Sequence, residues 1–117
     1  MNPYIFPGLK GVTLPVQYFL TNTTPENVIQ ATCEVLNIEH NQLVGKTRKR
    51  EVVEARHIIS FILVKKAGMT LEKVGMNYLG GRDHSTVINS LRKFNALFDT
   101  EEQFQNKFYS VLNNISI

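Results

Sequence analysis

The sequence contains one cysteine, Cys33, in 117 residues, so an intramolecular disulfide is impossible. A zinc site built on a Cys-x-x-Cys motif is excluded for the same reason. A chain with so little thiol is typical of proteins that work in the reducing cytoplasm, and we expect this one to act there.

Long apolar runs are also missing. Pro3, Pro7 and Pro15 interrupt residues 1–20, and the chain does not open on a charged region followed by an apolar stretch. The sequence therefore predicts neither a signal peptide nor a membrane-spanning helix. No stretch matches GxxxxGK[ST], the pattern of a phosphate-binding loop, so no ATPase module is expected in these residues.

Catalytic constellations are absent as well. His40, His57 and His84 are scattered, and neither a metal-binding histidine pair nor an activated serine or cysteine accompanies them. Asp83 precedes His84 directly, but adjacent residues on a helix point apart, which argues against a nuclease dyad. We expect no enzymatic activity, no metal site and no cofactor.

The basic residues are concentrated in the middle of the chain. Residues 46–93 hold eleven of the thirteen Lys and Arg residues and four of the ten acids, a net charge of +7, whereas the rest carries −4. Such asymmetry favours a polyanionic partner for the middle of the chain. Cations that only solvate helices would produce a similar count, so charge alone leaves that alternative open.

Apolar residues at helical spacing predict an all-α helical bundle. The expected helices begin after the capping residues Thr24, Thr70 and Asp83 or their neighbours. Residues 1–23 are predicted to form an irregular arm and residues 24–117 the folded domain. The predicted helices span about residues 24–37, 50–66, 71–79, 83–97 and 101–113, with a turn or single helical turn at 38–45. The broad apolar face of 50–66 marks it as the central helix.

The stretch GGRDHSTVINSLRKF, residues 80–94, follows a short helix with a glycine turn and a second helix that has a polar outer face. This order predicts a helix-turn-helix, whose second helix enters the DNA major groove and presents its first residues to base edges. His84, Ser85 and Thr86 carry suitable donors, acceptors and a methyl group. Asp83 either accepts from cytosine N4 or only caps the helix.

A compact basic loop, KTRKR at residues 46–50, precedes the central helix and contains no apolar residue. Its cations are expected to lie along the DNA backbone or to enter a narrow minor groove. The residues predicted to contact the backbone are Lys46, Lys49, Arg50, Lys65, Lys66, Arg82, Asn89 and Lys93.

The stretch GGRDHSTV, with TRKREVVEARHII upstream, resembles the C-terminal DNA-binding domain of DnaA, the bacterial chromosomal replication initiator, over about residues 24–113. The resemblance implies a Trp-repressor-like helix-turn-helix that binds double-stranded DNA as a monomer at an asymmetric TTAT…CACA-type box. It implies that Arg48 enters the minor groove. It further implies base contacts in the major groove by Arg56, Asp83, His84, Ser85 and Thr86.

Several positions depart from the family pattern. His57 stands where glutamine is frequent, and Val64 where a lysine that contacts the backbone is common. Ser85 replaces a threonine, and the stretch LEKVGMNYLGG is one residue longer than usual. These departures concern base preference and the placement of the recognition helix.

Some of these residues also have purely structural interpretations. Arg56 could form an ion pair with Glu51 or Glu72, Arg82 could brace the turn, and His57 could be packed half-buried. Gly75 is expected to permit close packing. If Arg56 reads a base, Arg56→Ala should cost about 1–3 kcal/mol of binding free energy and relax one base position.

The charge pattern and the helix-turn-helix predict a DNA-binding protein. The resemblance further implies that it is sequence-selective, associates with the nucleoid and regulates the initiation of replication by competing for initiator boxes or decorating them. The alternative is a protein–protein interaction module that binds an initiator or another replication protein. Salt dependence separates the two, because binding to phosphates weakens steeply as the salt concentration rises.

Overall fold

The structure, a computed structural model, describes residues 24–115, and these residues fold into six helices without any β-strand. The predicted arm, residues 1–23, lies outside the described residues. The helices are α1 Pro25–Leu36, α2 His40–Val44, α3 Arg50–Phe61, α4 Leu71–Lys73, α5 His84–Thr100 and α6 Glu102–Ile115. Helices α3 and α4 continue without a break into π-helical segments at Ile62–Lys66 and Val74–Tyr78. The predicted all-α fold is confirmed.

Three helices begin at the capping residues that the sequence indicates. Thr24, Thr70 and Asp83 precede α1, α4 and α5, and each side chain accepts a hydrogen bond of 3.1 Å from the backbone N–H three residues later. A cap of this kind satisfies one of the N–H groups that the first helical turn leaves unpaired. Helix α1 ends at Asn37, whose φ of 56° places it in the left-handed region.

Helix α3 is the central helix, as predicted, and contacts α1, α2 and α5. Its apolar side chains are sealed from solvent on more than one side of the helix. The buried apolar residues of α3 and its π-helical continuation are Val52, Ala55, Ile58, Ile59, Ile62 and Leu63. A helix buried around so much of its circumference holds the other helices at fixed positions.

A cluster of phenylalanines joins α3, α5 and α6. Phe94 of α5 stacks on Phe61 of α3 with ring centroids 4.0 Å apart, and it meets Phe104 and Phe108 of α6 edge to face at 5.3 and 5.0 Å. These offset and edge-to-face geometries are the favourable ones for aromatic pairs. The prediction that these aromatic residues form core rather than a base-stacking surface is confirmed for Phe94, Phe98, Phe104 and Phe108.

The first helix of the predicted helix-turn-helix is short and becomes π-helical at Val74–Tyr78. A π-helical turn, hydrogen-bonded between residues i and i+5, holds one residue more than an α-helical turn. This segment lies within LEKVGMNYLGG, the stretch that the sequence predicts to be one residue longer than usual in the family. The wider π-helical turn can accommodate that additional residue without breaking the helix. None of the helices within residues 24–115 has both the length and the apolar character that crossing a bilayer requires.

The phenylalanine cluster leads to a stability prediction. Phe94→Ala should lower the free energy of unfolding by about 3–5 kcal/mol, because the variant loses buried area and leaves a cavity among four other rings. Urea denaturation followed by circular dichroism measures the loss. Met76→Ala is the matched control, since its side chain is 60% exposed and its removal should cost less than about 0.5 kcal/mol. Equal losses for the two variants would contradict the packing described.

Candidate nucleic-acid interface

The amino end of α5 stands clear of the core. His84, Ser85 and Thr86 are exposed in its first turn, and Asn89 is exposed one turn later. Val87 is fully buried on the opposite side, which fixes the rotation of the helix. Arg92 and Lys93 continue the exposed face further along α5. Polar side chains at the start of a helix that is anchored by its apolar side are the arrangement that a recognition helix needs.

The turn before α5 lies close against two other segments, and glycine makes both approaches possible. A Cβ atom on Gly75 would lie 2.1 Å from the carbonyl oxygen of Arg82 and 3.1 Å from Val87. A Cβ atom on Gly80, whose φ is +77°, would lie 2.2 Å from the carbonyl oxygen of Val44. The close packing expected at Gly75 is confirmed, and the turn also abuts the end of α2.

The loop between α2 and α3 carries exposed cations. Lys46, Arg48 and Lys49 project into solvent, as the absence of apolar residues predicts. Arg50, the last residue of the predicted loop, is the first residue of α3, so from here on the basic loop denotes residues 46–49. The structure thus provides two adjoining surfaces for a polyanion, the basic loop and the first turn of α5.

Arg50 differs from its neighbours in the loop. Its guanidinium pairs with Glu54 at 3.3 Å and with Glu101 at 2.5 Å. Glu54 is itself buried and also accepts from Lys107 at 2.6 Å. These ion pairs compete with the predicted phosphate contact of Arg50, but its side chain is 64% exposed, and that contact stays a prediction. The sequence offered little warning, since Glu101 lies 51 residues away.

Arg56 has partners that the sequence-based prediction did not include. Its side chain is buried, and the residue is 8% exposed. The guanidinium points towards the end of α2 and the basic loop, where it donates to backbone carbonyl oxygens. The acceptors and their distances are Gln42 at 2.9 Å, Leu43 at 2.9 Å, Gly45 at 3.0 Å and Thr47 at 2.8 Å.

These carbonyl bonds engage all three nitrogens of the Arg56 guanidinium, and the predicted contact of Arg56 with a base stays untested. The ion-pair alternative is also not what the structure shows, because the acceptors are carbonyls and not the carboxylates of Glu51 or Glu72. Burial, and after it repulsion from Arg82, holds the pKa of Arg56 below its ordinary value.

Arg82 braces the turn, which is one of the two roles expected of it, and its predicted contact with phosphate stays untested. One guanidinium nitrogen donates to the carbonyl of Leu79 and another to the carbonyl of Gly45, the latter at 2.6 Å. Gly45 therefore accepts from both Arg56 and Arg82. Neither the sequence nor the resemblance pointed to Gly45 as a partner, since a backbone carbonyl is offered by every residue type.

His57 lies on α3 and is buried, with 8% of its surface exposed. The sequence left open whether His57 contacts DNA or is packed half-buried, and the residue is buried more deeply than that second interpretation expects. Its Nδ1 atom has no hydrogen-bond partner among residues 24–115. Burial lowers the pKa of His57 to about 4, against the opposing effect of Glu54, so the imidazole is neutral at pH 7. A contact of His57 with DNA stays untested, but the ring carries no charge for phosphate.

The remaining residues predicted to contact the backbone lie on the π-helical continuation of α3 and on α5. Lys65, Asn89 and Lys93 are exposed, and their contacts with the DNA backbone stay predictions. Lys66 is partly buried, with its ammonium 5.8 Å from the Phe61 ring centroid, and burial lowers its pKa. Within residues 24–115 no three His, Cys, Asp or Glu side chains are placed to hold a metal ion.

Comparison with known proteins decides the family. Residues 25–94 match the family described as the bacterial dnaA protein helix-turn-helix. The chain belongs to this DnaA helix-turn-helix family. The match covers α1 to the middle of α5, and so contains both the basic loop and the first turn of α5.

The relatives with curated names carry the same description, chromosomal replication initiator protein DnaA. The protein of Thermomicrobium roseum is 37% identical over 82 residues, which are 70% of this chain and 17% of that protein. The protein of Cutibacterium acnes is 33% identical over 95 residues, 81% of this chain and 19% of that protein. That of Synechococcus sp. is 30% identical over 94 residues, 80% and 20% respectively. The chain spans about a fifth of the length of these DnaA relatives.

The close packing of the turn against the π-helical segment Val74–Tyr78 can be tested by whether Gly75→Ala raises or lowers the free energy of unfolding. In an open helical position Gly→Ala stabilises by about 1 kcal/mol, because alanine has the higher helix propensity. Gly75→Ala should instead destabilise by about 1–3 kcal/mol, since the new methyl group meets the Arg82 carbonyl. Thermal and urea unfolding give the sign, with exposed Asn77→Ala as control. A stabilised Gly75→Ala variant would rule out the close approach.

The neutral, buried His57 leads to a prediction about pH. The pKa is 6.5 for an ordinary histidine and about 4 here, so the unfolded chain binds more protons between these values. The free energy of unfolding should therefore fall, by about 1–3 kcal/mol from this residue, as the pH is lowered from 6.5 to 4. His57→Gln should lose this part of the pH dependence in urea titrations. Parallel curves for the two proteins would contradict the prediction.

Proposed function

We propose that this chain binds double-stranded DNA in a sequence-selective way, with the first turn of α5 in the major groove and the basic loop in the adjacent minor groove. The observation that carries the proposal is the exposed, capped amino end of α5 beside the exposed cations of the loop. Membership of the DnaA helix-turn-helix family supports it, because a helix-turn-helix is a known DNA-reading device.

The base-reading group consists of His84, Ser85 and Thr86, together with Asp83. The imidazole and hydroxyl groups can donate to or accept from base edges, and the Thr86 methyl group can lie against a thymine methyl. One carboxylate oxygen of Asp83 accepts from the Thr86 N–H. The other oxygen can accept from the N4 amino group of cytosine, so the cap and the base contact are compatible.

The basic loop supplies the second contact. Arg48 is exposed and long enough to enter a minor groove, where the narrow groove of A·T-rich DNA concentrates negative potential. Lys46 and Lys49 flank it and can contact phosphates on either strand. Lys65, Asn89 and Lys93 extend the proposed backbone contacts, whereas Arg50, Arg56 and Arg82 hold internal partners and are left out of this set.

The proposed target is an asymmetric TTAT…CACA-type box, bound by one copy of the chain. An asymmetric box needs no two-fold symmetric dimer, because symmetry of protein and site go together. The relatives are named as chromosomal replication initiators, so we place the chain at replication origins in the cytoplasm. There it would regulate initiation by competing for boxes or decorating them.

Fluorescence anisotropy titrations against a TTAT…CACA box duplex and a scrambled duplex, each at two salt concentrations, test the proposal. Tight, salt-dependent binding with preference for the box is expected. A chain that instead docks on a protein partner through an apolar surface would bind neither duplex selectively and would show little salt dependence.

Two substitutions separate base reading from phosphate contact. His84→Ala should cost about 1–3 kcal/mol on the box and little on the scrambled duplex, because a base-edge contact is lost. Lys49→Ala, the matched control, should weaken binding to both duplexes alike and reduce the slope of log K against log salt by about 1. Equal losses on both duplexes for His84→Ala would contradict its assignment to a base.

A further inference from the structure

We propose that Arg56 and Arg82 are positioning residues for DNA recognition, which hold the basic loop in a fixed place relative to the first turn of α5 through the carbonyl of Gly45. This inference rests on the proposed function. It assigns to Arg56 a role other than base reading, and to Arg82 a role other than phosphate contact.

The basic loop has few anchors of its own. It contains no apolar side chain, and Lys46, Arg48 and Lys49 project into solvent. Within the loop the structure records one side-chain bond, from the Lys49 N–H to the Thr47 hydroxyl at 3.3 Å. A segment with so few bonds is ordered mainly by what holds its ends and its backbone.

Arg56 of the central helix anchors the backbone of the loop. Its guanidinium binds carbonyls before the loop, at Gln42, Leu43 and Gly45, and within the loop at Thr47. These bonds join the loop backbone to α3, whose apolar side chains are packed in the core. A planar fork with five donors can serve four carbonyls, whereas a lysine ammonium has only three donors.

Arg82 reaches the same place from the turn of the helix-turn-helix. It binds the Gly45 carbonyl at 2.6 Å while its other bond holds Leu79 at the end of the preceding helix. Gly80 adds close packing of the turn against Val44. The turn that aims α5 and the chain that enters the basic loop are therefore joined at one residue.

The connection between the basic loop and the turn before α5 is important because the two elements are proposed to bind neighbouring grooves of one duplex at the same time. His84 and Arg48 can both reach their targets only if the distance between their elements matches the DNA, and sites of this kind tolerate errors of about 0.5 Å. A loop that is already in place also avoids the entropy loss of ordering it on binding. Without the two arginines, Arg48 should lose its contribution while the first turn of α5 keeps its own.

A double-mutant cycle on the box duplex tests the proposal. In the wild-type background Arg48→Ala should weaken binding about tenfold, as expected for a groove contact. In an Arg56→Lys background, which keeps the positive charge, the same substitution should weaken binding less than about twofold, because Arg48 is no longer held in place. Lys73→Gln, which removes an exposed cation of α4 outside these contacts, is the control background and should leave the Arg48→Ala effect at about tenfold.

Binding to a modified duplex distinguishes a lost minor-groove contact from a general destabilisation of the protein. Replacing adenine by 2,6-diaminopurine adds an amino group in the minor groove and leaves the major-groove edges unchanged. Arg56→Lys should lose the wild-type preference for the adenine duplex, yet still prefer the box over a scrambled sequence. Thermal melting shows whether each variant is folded at the assay temperature. If Arg56→Lys is unfolded there, the same double-mutant cycle is measured in an Arg82→Lys background, because the Arg82 side chain is only partly buried.

The outcomes separate this inference from the function on which it rests. If Arg48→Ala is costly but equally costly in the wild-type, Arg56→Lys and Arg82→Lys backgrounds, the positioning role is overturned and DNA binding stands. If Arg48→Ala has no effect in the wild-type protein, the minor-groove contact fails and the positioning role fails with it. Loss of selectivity between box and scrambled duplexes in the wild type overturns the proposed function itself.

Discussion

The carbonyl oxygen of Gly45 receives hydrogen bonds from Arg56 of the central helix and Arg82 of the turn before α5. Three parts of the domain meet at this oxygen: the end of α2, the buried α3, and the helix-turn-helix. Hydrogen bonds from charged donors to buried acceptors are among the stronger ones in proteins, and an unpaired acceptor here would be costly. The apolar core orients the helices, and this polar junction relates the two exposed surfaces to each other.

Not every cation of the sequence is available to an external partner. Residues 46–93 carry eleven cations, but Arg50, Arg56 and Arg82 hold carboxylates or carbonyls within the domain. A count of basic residues therefore gives an upper bound on the phosphates that the surface can neutralise, and on the salt dependence of binding. Five of the cations that remain exposed lie in the basic loop and on the outer face of α5, namely Lys46, Arg48, Lys49, Arg92 and Lys93.

The fold and the recognition helix could be predicted because their signals are local. The caps at Thr24, Thr70 and Asp83 and the apolar spacing of α5 act within a few residues, and each has a direct physical cause. The role of Arg56 could not be predicted, because its acceptors are backbone carbonyls that carry no mark of residue identity. An arginine on an otherwise apolar helix indicated a special partner, but not whether that partner was a base or the chain itself.

We expect the basic loop and the first turn of α5 to contact one duplex together. An NMR titration of ¹⁵N-labelled protein with the box duplex tests it most directly, because each backbone amide reports its own surroundings. The expected result is that the largest shift changes fall at residues 46–49 and 83–89, while the exposed faces of α1 and α6 change little. Changes confined to α1 and α6, or absent at residues 83–86, would contradict it.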